Sequence, residues 1–240
     1  MSGTAIFMMG SRRQALAHPS VYEAEMLQFT ADDGARVVCA PEVFVIAGYT
    51  GRDRALVQAH IDELAHEGIA PPPEVPMLYP MPVEILTTAP TIAVTSSTQS
   101  CGELEPVLIS VDGTLYLGCG SDHTARDVER EDIGTSKRVC PKPLGSSVAR
   151  VTALDASYDA IALESAMDGT PYQRGTFAQI APLASILERF RSRYPAATSF
   201  VLFCGTVPLI GGAFRFGKRF TGTLSGGPLR APLTLDYALS

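Results

Sequence analysis

The chain has 240 residues, 46% of them hydrophobic, with a formal net charge of -6 from 19 Lys+Arg and 25 Asp+Glu. That is ample apolar material for one large or two modest folded units and excludes a disordered chain. The basic residues are scattered singly, with no stripe to follow a phosphate backbone, so nucleic acid is not an expected partner.

The apolar start Thr4 to Met9 is too short for the core of a secretion signal, and Arg12 and Arg13 lie on the wrong side of it. No stretch approaches the roughly 18 uncharged apolar residues of a membrane span, so no membrane is expected. Val37-Val38-Cys39 and Val43 to Ile46 read as strands. Helical spacing runs from Asp53 to His66, closed by Gly68, with Leu56, Ala59, Ile61 and Leu64 as the face expected to lie on a sheet. The Pro-rich stretch Ala70 to Pro82 is a rigid connection, dividing a small N-terminal αβ part (1–82) from a β-rich remainder (83–240). Beyond it, Asp112-Gly113 and Asp168-Gly169 stand between strand-like runs as hairpin turns. A second helix is expected from Phe177 to Arg193, with Ile180, Leu183, Ile186, Leu187 and Phe190 inward, followed by a strand over Ser199 to Cys204. Strands without alternating helices predict an α+β class, mainly antiparallel, rather than a doubly wound parallel sheet.

The five cysteines, at 39, 101, 119, 140 and 204, form no CxxC pair. Neither a disulfide framework nor a zinc site is indicated, and a reducing cytoplasm is the expected home. No histidine is placed by sequence context to activate Cys101 or Cys140 as a nucleophile.

The chemistry is carried by acids. In Gly102-Glu103-Leu104-Glu105, two-residue spacing at the mouth of a strand puts both carboxylates on one face. After the Asp112-Gly113 turn the chain returns through Gly118-Cys119-Gly120-Ser121 to Asp122, which can join them. Three hard oxygen donors suit Mg²⁺, Mn²⁺ or Ca²⁺; a Glu-x-Glu on a solvated edge is the plain alternative. On the predicted first helix, His60 and Glu63 stand three apart, so a carboxylate can orient an imidazole as a base for water; a solvated His-Glu contact explains them equally. His66 suits the C-terminal end of that helix.

These motifs, taken in order, resemble the fumarylacetoacetate hydrolase superfamily. Glu103-Leu104-Glu105 and Ser121-Asp122-His123-Thr124-Ala125-Arg126-Asp127 match its paired-glutamate strand and its Asn-Asp-x-Ser-Ala-Arg-Asp segment. Lys137 with Cys140-Pro141-Lys142-Pro143-Leu144-Gly145 is similar to its lysine turn and Pro-Leu-Gly stretch. Met167-Asp168-Gly169 with Gln173, and Gly205-Thr206 with Phe214 to Lys218, are similar to its later hairpin and loops. More narrowly, Gly-Ser-Asp-His-Thr joined to Ser-Lys-x-x-Cys-Pro-Lys-Pro resembles an uncharacterised bacterial branch of that superfamily.

The resemblance implies a β-sandwich roll, a small 2-oxo acid or β-dicarbonyl substrate, a divalent cation (Mg²⁺, or Mn²⁺ or Ca²⁺) on Glu103, Glu105 and Asp122, and a homodimer. It further implies that Lys137 faces the enolate and that Tyr49 and the His60-Glu63 dyad belong to a lid. Glu129, Gln173, Gly205 and Thr206 fall at substrate-side positions. Carbon-carbon hydrolysis is the implied reaction, with decarboxylation, isomerisation or dehydration on the same site as alternatives, and a catalytically silent metal- and ligand-binding module as a rival. Departures are the insertion between Tyr49 and His60, Tyr79-Pro80-Met81-Pro82 where the family has a lysine, Glu129 in place of a glutamine, and Pro141 in place of a threonine. His123 is expected to point away from the cation, Arg126 and Asp127 to form an ion pair or local cap, and Thr206 to bond either a carboxylate or its own turn.

Overall fold

The structure is a computed structural model that describes residues 26–240, apart from 67, 69, 96, 98 and 130. The apolar start at Thr4 to Met9 lies outside the described residues. In chain order come β1 (Leu27–Ala31), β2 (Arg36–Cys39), β3 (Val43–Gly48), helix α1 (Arg54–His66) and β4 (Met77–Met81). Three short strands follow, β5 (Leu86–Thr87), β6 (Thr91–Ile92) and β7 (Ser100–Cys101). The long strands β8 (Leu104–Val111) and β9 (Thr114–Ser121) lead through β10 (Thr124–Ala125) into two short helices, α2 (Arg126–Glu129) and α3 (Ile133–Arg138). Next are β11 (Lys142–Pro143), β12 (Ser147–Arg150), β13 (Ile161–Met167) and β14 (Thr170–Thr176). Helix α4 (Leu183–Arg193), β15 (Phe200–Phe203), β16 (Arg219–Gly226) and β17 (Leu233–Leu239) complete the set.

Both expected hairpins form. Asp112 and Gly113 have φ of 48° and 82°, and Asp168 and Gly169 have φ of 48° and 74°. Two successive positive-φ residues give the turn twist that suits a two-residue hairpin, and Asp followed by Gly tolerates it best. β8 and β9 pair antiparallel as far as Val111↔Thr114, and β13 and β14 as far as Met167↔Thr170.

One sheet has eight strands in the order β2-β1-β12-β9-β8-β15-β3-β4, and a second has β14-β13-β16-β17-β6. Strands on both sides of residue 82 therefore share one sheet: β3 lies between β4 and β15, parallel to the latter. The Pro-rich stretch itself ends in β4. Leu104, Leu108 and Leu117 of the large sheet pack against Leu163, Phe220 and Tyr237 of the smaller one, while Val107 and Ile109 face a separate cluster with Phe29, Phe44 and Phe203. Most regular structure is strand, with few helices.

Helix α4 buries Leu183, Ile186, Leu187 and Phe190, the spacing of a single helical stripe. Each such side chain contributes about 2 kcal/mol of burial before the entropy of ordering is counted. Helix α1 departs from expectation: Ile61 is its one buried residue, and Leu56 is 70% exposed. Leu56 sits about 140° from Ile61 around a helix of 3.6 residues per turn, outside the half-buried stripe of Val57, Ile61 and Leu64. No helix among the described residues is long and apolar enough to cross a membrane.

Candidate active site

The register of β8 on β9 gathers the acids. Leu104 pairs with Ser121 and Glu105 with Gly120, and the Asp122 N–H donates to the Glu103 carbonyl at 3.0 Å. Period two places Glu103 and Glu105 on the face that carries Val107 and Ile109. Gly120 keeps that face open beside Glu105, because a Cβ there would meet the Phe203 ring at 2.7 Å. Glu105 is buried, and its Oε2 accepts the Gly205 N–H at 2.8 Å. Burial first, and the repulsion of Asp122 second, push the Glu105 carboxyl well above the usual range.

Three cations answer these acids. Lys137 of α3 donates to Asp122 Oδ2, and Lys142 of β11 lies 3.1 Å from Asp122 Oδ1 while donating to the His123 carbonyl. Burial opposes ionisation of Asp122, but the two ammonium groups outweigh it and hold the carboxyl far below its ordinary range. Burial likewise opposes the charge on Lys137, and Asp122 and Glu129 more than offset it, raising its pKa. Arg126 lies 2.8 Å from Glu129 through Nη1 and 2.9 Å from Glu103 through Nη2, with the Phe214 ring centroid 4.1 Å from its guanidinium. Among the described residues four carboxylates thus face three cations, and Glu105 is the one hydrogen-bonded by a neutral N–H, that of Gly205.

These donors bear on the expected divalent ion in two ways. Hard carboxylate oxygens suit Mg²⁺, Mn²⁺ or Ca²⁺, and a cation is what the buried Glu105 lacks. Yet among the described residues no three His, Cys, Asp or Glu side chains already enclose a common point, because Glu103 and Asp122 are turned to Arg126 and the two lysines. The site fits such an ion by donor chemistry, with Asp122 as the ligand that must be freed.

The hydroxyls of Tyr49 and Tyr79 interact with each other, and both sit within the field of Lys137 and Glu129. Tyr49 has φ of 56°, a conformation costing a bulky residue about 1–3 kcal/mol and found where structure serves function. The His60 ring lies 6.3 Å from that of Tyr49, and His60 Nδ1 is 3.7 Å from Glu63 Oε2, with both side chains largely exposed. His66 Nδ1 contacts the Asp62 carbonyl in the last turn of α1, as its position suggested.

Gln173 is buried, its Oε1 accepts from the Leu104 N–H and the Ser165 hydroxyl, and its Nε2 donates to Thr206 Oγ1 and the Val207 carbonyl. All four bonds an amide can make are used. The Thr206 hydroxyl donates to the Leu104 carbonyl at 2.5 Å, tying its loop to β8 rather than bonding its own turn. Arg126 turns inward into ion pairs with Glu103 and Glu129, and Asp127 accepts from Ser97 at 2.5 Å and from the Val128 N–H at 3.1 Å as a local cap, so both have structural roles. His123 behaves as expected, buried with Nδ1 2.8 Å from Tyr237 Oη and Nε2 3.0 Å from Ser100 Oγ. Burial, then Lys142, lower its pKa to about 3, so it is neutral.

Lys142, Tyr79 and the inward Arg126 were missed from sequence. Their partners lie far along the chain, and the one local hint, a lysine between two prolines in an apolar run, specifies no partner.

Residues 47–237 match the family described as "Protein of unknown function (DUF2848)". No curated protein matches. Among solved structures, a candidate fumarylacetoacetate isomerase/hydrolase from Oleispira antarctica superposes with TM-score 0.66 at 19% identity, over 90% of this chain and 100% of that one. Fumarylpyruvate hydrolase from Pseudomonas aeruginosa, in complex with Mn²⁺ and pyruvate, gives 0.61 at 17%, over 92% and 98%. The 5-carboxymethyl-2-hydroxymuconate delta-isomerase from Mycobacterium smegmatis gives 0.57 at 15%, over 89% and 97%. At these identities the likeness shows the fold, which is that of the fumarylacetoacetate hydrolase type.

Proposed function

Since the chain belongs to the DUF2848 family and carries this fold, we propose that it is an enzyme acting on a small 2-oxo acid or β-dicarbonyl compound, with carbon-carbon bond hydrolysis as the reaction. The observation that carries this reading is the buried Lys137 set against Asp122, beside Glu103, Glu105 and Glu129. A fixed ammonium in a dry site is what a developing enolate requires. Glu103, Glu105 and Asp122 would hold a divalent cation, Mg²⁺, Mn²⁺ or Ca²⁺, which when bound polarises a carbonyl.

The chain's own residues do the rest. Lys137 keeps its proton because Asp122 and Glu129 stabilise the charge, so it neutralises enolate oxygen without giving up a proton. Gly205 offers Glu105 its N–H and fixes that carboxylate in place. Tyr49 and Tyr79, within the field of Lys137, would face the substrate, and Glu129 tunes both the lysine and Arg126. The His60-Glu63 dyad on the exposed helix α1 is positioned at the rim, next to Tyr49, to take a proton from water. Helix α1 then serves as a lid, and the protein works as a homodimer in the cytoplasm.

A second reading is a silent binding module, favoured by the exposure of His60 and Glu63 and by their 3.7 Å separation, too long for a hydrogen bond. Assaying acylpyruvates, oxaloacetate and β-diketones with added Mg²⁺ or Mn²⁺ separates the two. Turnover that disappears in Lys137→Met supports the enzyme, and no turnover of any of them supports the module.

A further inference from the structure

Lys142 is the charged group that the proposed chemistry leaves unused. It is 0% exposed, stands between Pro141 and Pro143, and is held by parallel pairing of Lys142 with Leu86. Its ammonium lies 3.1 Å from Asp122 Oδ1 and donates to the His123 carbonyl. Lys137 holds the other Asp122 oxygen. Both oxygens of one carboxylate are thus taken by ammonium groups, but the two lysines are not equivalent. The Lys137 side chain is 10% exposed, whereas that of Lys142 is fully enclosed.

We propose that Lys142 is a resident counter-ion that competes with a divalent cation for Asp122, so that the protein stays assembled without the ion and binds it weakly; this rests on Glu103, Glu105 and Asp122 being the cation's ligands. The physical case is charge balance. A buried carboxylate needs a partner, and a lysine built into the strand supplies one while the ion is absent. An incoming dication meets that positive charge at a few ångströms in a medium that screens poorly, and must displace it to reach Oδ1. Internal neutralisation also explains why the acids do not already enclose a common point.

The test is Mn²⁺ binding to the full chain, read as loss of the free-ion paramagnetic resonance signal, for wild type, Lys142→Met and Glu105→Gln. Methionine matches the lysine stem in length without its charge. The expected result is that Lys142→Met binds Mn²⁺ about tenfold or more tighter than wild type, the effect of removing one unscreened positive charge beside a ligand, while Glu105→Gln binds it more weakly than wild type. Equal or weaker binding by folded Lys142→Met, with wild type binding normally, overturns the role of Lys142 and leaves the cation site standing. No binding by either protein overturns both. Should Lys142→Met fail to fold, a crystal structure of the wild type with Mn²⁺ decides: Lys142 turned away from Asp122 supports the proposal, and Lys142 still bonded to Asp122 beside the ion overturns it.

Discussion

Arg126 lies 2.9 Å from Glu103 with 6% and 19% of their side chains exposed, so an ion pair sits where two acids alone would repel. The same guanidinium also holds Glu129 at 2.8 Å. Replacing it with methionine strands two half-buried carboxylates near Asp122. Breaking a buried pair by removing one partner costs about 3 kcal/mol. Arg126→Met is therefore expected to lower the urea midpoint of unfolding with no change in slope; an unchanged midpoint would show that the pair contributes nothing.

Lys137→Met removes the positive charge offered to an enolate while keeping the buried stem. A preorganised electrostatic contact of this kind is worth about 10²-fold or more in kcat. The variant is expected to fold like wild type by circular dichroism and to lose turnover on whichever oxo acid the wild type accepts. Full activity would remove Lys137 from the chemistry.

His60→Ala separates base from cation. His60 is far more exposed than the acids and contacts none of them in the structure. Mn²⁺ affinity is expected to stay at the wild-type level while kcat falls about 10²-fold. A parallel loss of affinity would place His60 among the ligands instead.

Gly205 has φ of 89°, and a Cβ there would meet Thr50 Oγ1 at 1.6 Å. Its N–H also anchors Glu105. Strain and clash act together, so Gly205→Ala is expected to destabilise by about 2 kcal/mol or more. A thermal melt indistinguishable from wild type would mean that Thr50 can move aside.

All five cysteines are buried, and burial raises each thiol: Cys39 and Cys140 to about 11, Cys119 to about 12, with Cys101 and Cys204 also shifted upward. A raised pKa keeps the unreactive thiol form until pH approaches the shifted value. The native protein is expected to resist a thiol-specific reagent from pH 7 to 9 and to release all five thiols on unfolding. Rapid labelling of even one in the native state would contradict this and revive a cysteine nucleophile.

What sequence revealed was local or strictly periodic. Asp112-Gly113 and Asp168-Gly169 announce their turns, the stripe of α4 announces its buried face, and alternation in Glu103-Leu104-Glu105 places two acids together. The helix at 54–66 was legible as a helix but not as an exposed one, because Leu56 and Ile61 are close in sequence and far apart around the axis. The counter-ions were not legible at all. Lys142 meets Asp122 only because β11 pairs with β5, and Gln173 spends its amide on Leu104 and Thr206 because three distant segments converge there. No window of sequence contains those contacts.

The most direct measurement is exchange of the α-protons of pyruvate and of a β-diketone into D₂O, followed by proton NMR with added Mn²⁺. Hydrolysis, decarboxylation and isomerisation at this site all require an enolate, so exchange reads the shared step whatever the natural substrate. The account predicts exchange well above buffer for wild type and at the buffer rate for Lys137→Met and Glu105→Gln. No exchange by wild type, or equal exchange by Lys137→Met, would contradict it.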